Sequence, residues 1–237
     1  MSRADLLRAL GALCEPSAEG RARLAAALDL DPPGDPVDEA ATFLFEVYPY
    51  ASVHLGEEGM LGGEARARVA GFWVALGLEP PTEPDHLAAL LGLLASLADL
   101  EEAETDPARR LLRREARRAL LWEHLASWTP PFLLAVERVG TPHQRSWAAL
   151  LREVLAAEAD DLGAPDLPPV ALRAAAPAED PRTAATAPSR VGIVVTRTDL
   201  VRAARALGVG TRIGERAFAL RAMAEQDRQG TGAWLAA

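Results

Sequence analysis

Thr82-Glu83-Pro84-Asp85-His86-Leu87-Ala88-Ala89-Leu90-Leu91-Gly92-Leu93-Leu94-Ala95-Ser96-Leu97-Ala98 is the stretch on which the fold turns. Thr82 and Asp85 have the T-x-x-D form of a capping box, a device that satisfies the exposed N–H groups of a helix start. The leucine-rich run that follows reaches about Ala103, so the segment predicts the longest apolar helix of the chain. Its apolar part, Leu87 to Ala98, is too short to span a bilayer.

The same punctuation recurs on both sides. Pro is tolerated in the first turn of a helix, and a Ser, Thr or Asp before it caps the start. Upstream, Ser2 precedes an apolar-periodic run to Cys14, Ser17 one to Leu28, and Asp35-Pro36 a third that reaches Phe45. Gly62-Gly63 breaks the chain before a helix from Glu64 to about Leu76, ended by Gly77. Downstream, Asp106-Pro107, Thr129-Pro130 and Thr141-Pro142 open three more. Strand-like alternation is almost absent, with one β-branched cluster at Val191-Gly192-Ile193-Val194-Val195. The reading is an all-α bundle of about seven or eight helices over residues 1–163.

Residues 164–189 shift to Pro and Ala, with six prolines, and read as a linker. Residues 190–237 read as a short helical extension. Thr196-Arg197-Thr198-Asp199 caps a helix to Leu207, and a second runs from about Glu215 to Gln226, so a helical pair closes the chain.

Composition narrows the function classes. Hydrophobic residues make up 49% and charged residues 25%, the balance of a globular protein. Cys14 is the only cysteine, which excludes an intramolecular disulfide, a thiolate zinc site and a C-x-x-C pair, and fits a reducing cytosol. The start Met1-Ser2-Arg3-Ala4-Asp5 lacks the basic-then-apolar pattern of a signal peptide. All 25 basic residues are arginine, read mainly as the codon bias of a GC-rich genome. Residues 1–189 carry 17 Arg against 30 acids and residues 190–237 carry 8 Arg against 4, so a body at −13 bears a tail at +4. An acidic body repels nucleic acid and favours basic or apolar partners.

Candidate chemistry is sparse. Glu83 and His86 have the i, i+3 spacing of carboxylate-bridged metal sites, but such a site needs a second E-x-x-H pair, and Ala51, Leu121 and Gly140 stand three residues before His54, His124 and His143. Capping by Glu83 and Asp85 near the positive end of a helix explains the acids well. In Leu121-Trp122-Glu123-His124-Leu125-Ala126-Ser127-Trp128, the residues Leu121, Leu125 and Trp128 mark a core face, and no nucleophile accompanies His124. A G-x-S-x-G elbow, a P-loop and a G-x-G-x-x-G turn are all absent. No catalytic residue, metal or cofactor is expected. Phe43 to Leu55 concentrates the aromatics, either as a helix end pinned to the core by Phe43 and Phe45 or as an aromatic recognition surface. A competing reading makes the tail, with two helices around a Gly-containing turn, a nucleic-acid-binding regulator. Against it stand the charge of the body and the scatter of the tail arginines.

Taken in order, Phe43-Leu44-Phe45, Pro49 to Leu55, Glu58 to Glu64, Glu83 to Leu87, Trp122 to Leu125 and Trp128 to Phe132 resemble the TorD/DmsD/NarJ family of redox-enzyme maturation chaperones over roughly residues 35–160. The resemblance implies an all-helical cytoplasmic chaperone, not an enzyme. It would hold the twin-arginine leader, or the body, of a molybdoenzyme catalytic subunit until its molybdopterin is inserted. Peptide recognition carries over to Pro84, Asp85 and His86, and to Tyr50, Ser52, Glu123, His124 and Trp128. No nucleic acid and no membrane insertion are implied, and the loop before Thr82 permits either a monomer or a domain-swapped homodimer. Three features depart from the family pattern: Pro84 is followed directly by Asp85, His54 stands where an aromatic is frequent, and the tail is an extension. A leader with two cations and an apolar stretch needs carboxylates beside a groove between helices, and this composition supplies both.

Overall fold

The computed structural model describes residues 1–15, 20–56, 60–173, 194–211 and 216–236. The proposed helix start at Ser17, most of the linker and the cluster Val191–Ile193 therefore lie outside the described residues. Among the described residues there is no strand, and the one ladder contact is an antiparallel bridge between Tyr50 and His86. The chain is an all-α multi-helix bundle.

Helix α1 (Arg3–Cys14) starts on a reciprocal capping box, Ser2 Oγ accepting from Asp5 N at 3.0 Å and Asp5 Oδ2 from Ser2 N at 3.2 Å. Helices α2 (Arg21–Ala27), α3 (Pro36–Ala41) and α4 (Ala51–Leu55) are short, and the longer α5 (Gly63–Ala75) packs against α4. The long elements α6 (Leu87–Ala103), α7 (Pro107–Ala119), α8 (Thr129–Val139) and α9 (Pro142–Leu162) form the bundle, and Thr141 and Gln144 close a second capping box at the start of α9.

Leu7 and Leu10 of α1, Leu87, Leu90, Leu91 and Leu94 of α6, then Leu120, Leu121, Trp128, Phe132 and Trp147 fill one continuous core. Each fully buried leucine contributes roughly 1.5–3 kcal/mol, whereas an exposed ion pair contributes about 0–1 kcal/mol, so apolar packing carries the bundle. Gly11 brings α1 and α6 close, since a Cβ there would lie 3.3 Å from the Ala88 carbonyl oxygen. Trp147 Nε1 donates to the Leu10 carbonyl at 2.9 Å and ties α9 to α1.

Two π-helical turns interrupt this regularity, Thr42–Glu46 after α3 and Leu120–Leu125 after α7. Val47 N donates five residues back to Thr42 O at 2.8 Å, and Ala126 N to Leu121 O at 2.7 Å. The extra residue per turn shifts the side-chain register. Phe43 stays in the core, but Leu44 and Phe45 become exposed, correcting the expectation that Phe45 pins this helix end.

The capping box at Thr82 is also corrected. The chain turns from Thr82 to His86, and α6 begins at Leu87 with His86 as its cap, Nδ1 accepting from Ala88 N at 3.2 Å. Asp85 is engaged elsewhere: its Oδ2 accepts from Ser52 N at 3.1 Å and its carbonyl oxygen from Ala51 N at 3.0 Å. The first N–H groups of α4 have no partner within their own helix. They are buried here, and a buried orphan donor costs more than one that water can satisfy.

Beyond α9, Trp122 Nε1 donates to Gly163 O at 2.9 Å, and the short α10 (Val170–Arg173) lies against Glu123. The extension holds α11 (Arg197–Leu207), capped reciprocally by Thr196 and Asp199, then α12 (Arg216–Gln226) and α13 (Arg228–Ala236). Three helices therefore stand where a pair was expected. Gly230 and Gly232 argue against α13 on propensity, yet at Gly230 a Cβ would lie 2.8 Å from Leu207 Cδ2, so the absent side chain admits close packing on α11. Val195, Leu200, Ala203, Ala204, Ala219, Leu220 and Met223 form a second hydrophobic cluster, separate from the first.

Candidate functional site

The eight residues read from the sequence fall into two groups. Tyr50, Ser52, Pro84, Asp85 and His86 meet where the extended segment before α4 pairs with the turn before α6. Leu87 N donates to Pro49 O at 2.9 Å, Tyr50 bridges His86, and the Tyr50 and His86 rings meet edge to face at 4.8 Å. Tyr50 Oη donates to Glu83 Oε1 at 3.0 Å. Burial and the adjacent Glu83 carboxylate push the Tyr50 phenol up to about 12, so it stays a neutral donor.

Asp85 and Ser52 are buried, and so is Pro84, whose carbonyl oxygen accepts from Trp73 Nε1 at 3.4 Å. Ser52 Oγ accepts from Gly62 N at 3.2 Å, and Arg66 of α5 donates to Thr82 O at 2.9 Å with Asp85 3.9 Å away. These residues shape the junction from behind. The exposed carboxylate on its outer side is Glu83.

That outer side opens into a groove of about 540 Å³ between the end of α1 and the start of α6. Gly11, Ala12, Ala88 and Ala89 line it, with Glu15, Glu83 and His86 as its polar groups. Burial lowers the His86 pKa, while Glu83, Glu15 and Asp85 all oppose that shift. Its Nδ1 is occupied by Ala88 N, which leaves Nε2 as the remaining ring donor. Small side chains on two facing helices leave room for a guest chain, and two carboxylates give it a preference for cations. Glu15 was not legible as a site residue: it ends α1 without any motif. Glu83 was legible in the E-P-D-H segment, but as a cap or a metal ligand and not as a peptide contact.

The second group lies at the π turn after α7. Trp128 is fully buried, its Nε1 donating to His124 O at 2.8 Å and its ring stacked on His54 at 5.0 Å. His124 packs on Phe72 at 4.9 Å; burial, with Arg68 adding and Glu123 opposing, lowers its pKa to about 4. Glu123 Oε2 accepts from Val170 N at 2.7 Å, and Arg173 lies 3.6 Å from its other oxygen. Helix α5 connects the groups, since Arg66 and Trp73 touch residues 82–84 while Phe72 touches His124.

Asp85→Ala is expected to lower the unfolding free energy by about 1–3 kcal/mol, because it strands the buried Ser52 N–H. Urea denaturation checks this, and stability equal to the parent would show that Asp85 does not hold the junction.

Among the described residues no group of three or more His, Cys, Asp or Glu is arranged to hold a metal ion, and no helix is long and apolar enough to cross a membrane. No curated protein matches the chain. Residues 39–133 match the family model described as nitrate reductase delta subunit, a stretch that runs from α3 into α8 and contains both residue groups. That stretch is similar to the NarJ/TorD-type family, whose members are molybdoenzyme maturation chaperones.

Proposed function

We propose that this protein is a cytoplasmic maturation chaperone that holds the twin-arginine leader of a molybdopterin oxidoreductase catalytic subunit in the groove between α1 and α6. The observation that carries the reading is the pair of carboxylates, Glu15 and Glu83, flanking a floor of glycine and alanine beside the Tyr50–His86 bridge. A leader contributes two adjacent guanidinium groups, each able to donate charge-assisted hydrogen bonds to a carboxylate. Its apolar stretch follows along the small-residue floor in the manner of peptides that lie in helical grooves.

Roles divide by exposure. Glu83, Glu15, Tyr50 and His86 contact the guest, with His86 Nε2–H donating to a peptide carbonyl. Ser52, Pro84 and Asp85 set the position of that edge from the interior. Trp128, His124 and Glu123 hold the π turn after α7 and, through α5, the other flank of the junction. Binding there delays export until the cofactor is in place, and the chemistry asked of the chaperone is recognition alone.

Calorimetry with a twin-arginine leader peptide tests the reading. Changing Arg-Arg to Gln-Gln in the peptide is expected to weaken binding by about tenfold or more, from two charge-assisted contacts of about 1.5–3 kcal/mol each, partly screened by solvent. Glu83→Gln should reproduce much of that loss with an unchanged urea midpoint. Equal affinity for the two peptides would remove the groove as the arginine-reading site.

A further inference from the structure

The C-terminal extension is not absorbed by the chaperone reading, yet among the described residues it is fastened to the body at Glu46 and at Arg138. Glu46, the last residue of the first π turn, receives it: Thr198 N donates to Glu46 Oε2 at 3.0 Å, Thr198 Oγ1 to Oε1 at 2.9 Å, and Arg216 to the Glu46 carbonyl at 2.6 Å. The Arg216 guanidinium also stands 5.7 Å from the centre of the Tyr48 ring. Arg138 of α8 pairs with Asp199 at 3.0 Å and donates to Val194 O at 2.9 Å.

Val194 is buried in the main core, whereas Val195 and the residues after it pack in the second cluster. Among the described residues, the unit's hold on the body includes the Val194 side chain and partly exposed polar contacts, and its own cluster is separate from the main core. Interfaces of this composition favour relative movement.

What the unit grips is the segment that builds the recognition edge. From Glu46 the chain runs through Tyr48, whose carbonyl accepts from His54, and Pro49, whose carbonyl accepts from Leu87, to Tyr50 opposite His86. We propose that the C-terminal helical unit is a reversible cis latch on residues 46–50 that weakens leader binding while docked. The inference rests on the leader reading above for its functional consequence, but not for the mechanical coupling. The sign follows from charge: residues 190–237 carry +4, and docking them beside Tyr48 reduces the attraction of the −13 body for a cationic leader.

Hydrogen exchange on the full-length protein, read by mass spectrometry, tests the latch with Glu46→Ala/Asp199→Ala against the parent. Exchange should rise about tenfold or more both in 196–204 and in 47–54, while α1 and α9 stay protected. Arg216→Gln, which leaves both hydrophobic clusters untouched, should give the same pattern more weakly and keeps the test usable if the double variant is unstable. Unchanged exchange in 196–204, or a rise there without one in 47–54, overturns the latch. In calorimetry the opened variants should bind the leader about fivefold more tightly or better, the scale of a modest coupling between sites, and unchanged or weaker binding overturns the inhibitory sign. A leader that binds neither parent nor variants defeats the chaperone reading at this groove, and the exchange pattern still decides the coupling.

Discussion

Replacing Arg117 by methionine is expected to destabilise the bundle by about 3–5 kcal/mol, the usual consequence of breaking a buried ion pair from one side. Arg117 sits on α7 and is only 4% exposed, with its NH2 donating to Glu158 Oε2 at 2.6 Å and Asp161 Oδ2 at 3.3 Å, and its NH1 to Glu101. One guanidinium thus joins α6, α7 and α9. Glu158 is buried, and without Arg117 its remaining cation is the half-exposed Arg3, whose Nε lies 3.1 Å from Oε1. That residual partner places the expected loss near 3 kcal/mol, the lower end of the range.

The control is the double variant Arg117→Met/Glu158→Gln, which removes the stranded charge together with the cation. It should recover most of the stability in urea denaturation, since replacing a buried pair as a whole is often close to neutral. Equal losses in the single and double variants would show that packing of the arginine stem, and not charge, holds the three helices together.

The second large effect is a loss of stability on acidification that passes through His54. Its Nε2–H donates to Tyr48 O at 2.8 Å, its Nδ1 is buried without a partner, and its ring is stacked on Trp128 and set edge to face against Phe132. Burial lowers the pKa to about 4; Arg216 adds to the effect, and the hydrogen bond to Tyr48 opposes it. The folded value therefore lies below the value near 6.5 of an unfolded histidine. Above pH 6.5 the ring is neutral in both states and its contribution is fully present. As pH falls from 6.5 towards 4, the unfolded chain takes up a proton that the folded ring refuses, and stability drops.

The window amounts to about 3 kcal/mol by pH 4 for this one group. His124, also lowered to about 4, acts in the same direction. His54→Phe should flatten the fall in stability between pH 6.5 and 4, and ring titration by NMR should place the His54 midpoint near 4. A midpoint near 6.5 would mean that the Trp128 stack opens readily enough to admit water. That result would remove the predicted slope.

Much of the fold was legible because its signals are local. The helix starts read at Ser2, Thr141 and Thr196 are all formed, each closed by a capping box with Asp5, Gln144 and Asp199 respectively, and Gly62-Gly63 and Gly77 bracket α5 as expected. Misreadings arise where a residue has a distant partner that outcompetes its local one. Asp85 has the spacing to cap α6 yet serves α4, because Ser52 N is buried and needs an acceptor. Phe45 leaves the core because the chain takes a π turn that no periodicity of 3.6 anticipates.

The candidate site divides on the same line. The E-P-D-H segment, Tyr50 and Trp128 could be picked from the chain because proline, acid, histidine and aromatics cluster unusually there, and the match to the delta-subunit family spans them. Which of them faces the groove could not be picked. Exposure depends on what lies across the groove, and Glu15 enters because Gly11 lets α1 approach α6 closely, so that its C-cap lines the same groove as Glu83.

Taken alone, the order of residues determined an all-helical chain, the starts of most of its helices, an acidic body and a basic extension. Each of these depends on neighbours within a few turns or on a sum over composition. Only the tertiary structure decided that Asp85 points inward and Glu83 outward, that Glu123 is held by Val170 and Arg173, and that Glu46 receives the extension. Those outcomes join residues 33 to 152 positions apart, and hydrogen-bond partners at such separations are chosen by how the helices pack, which no local pattern encodes.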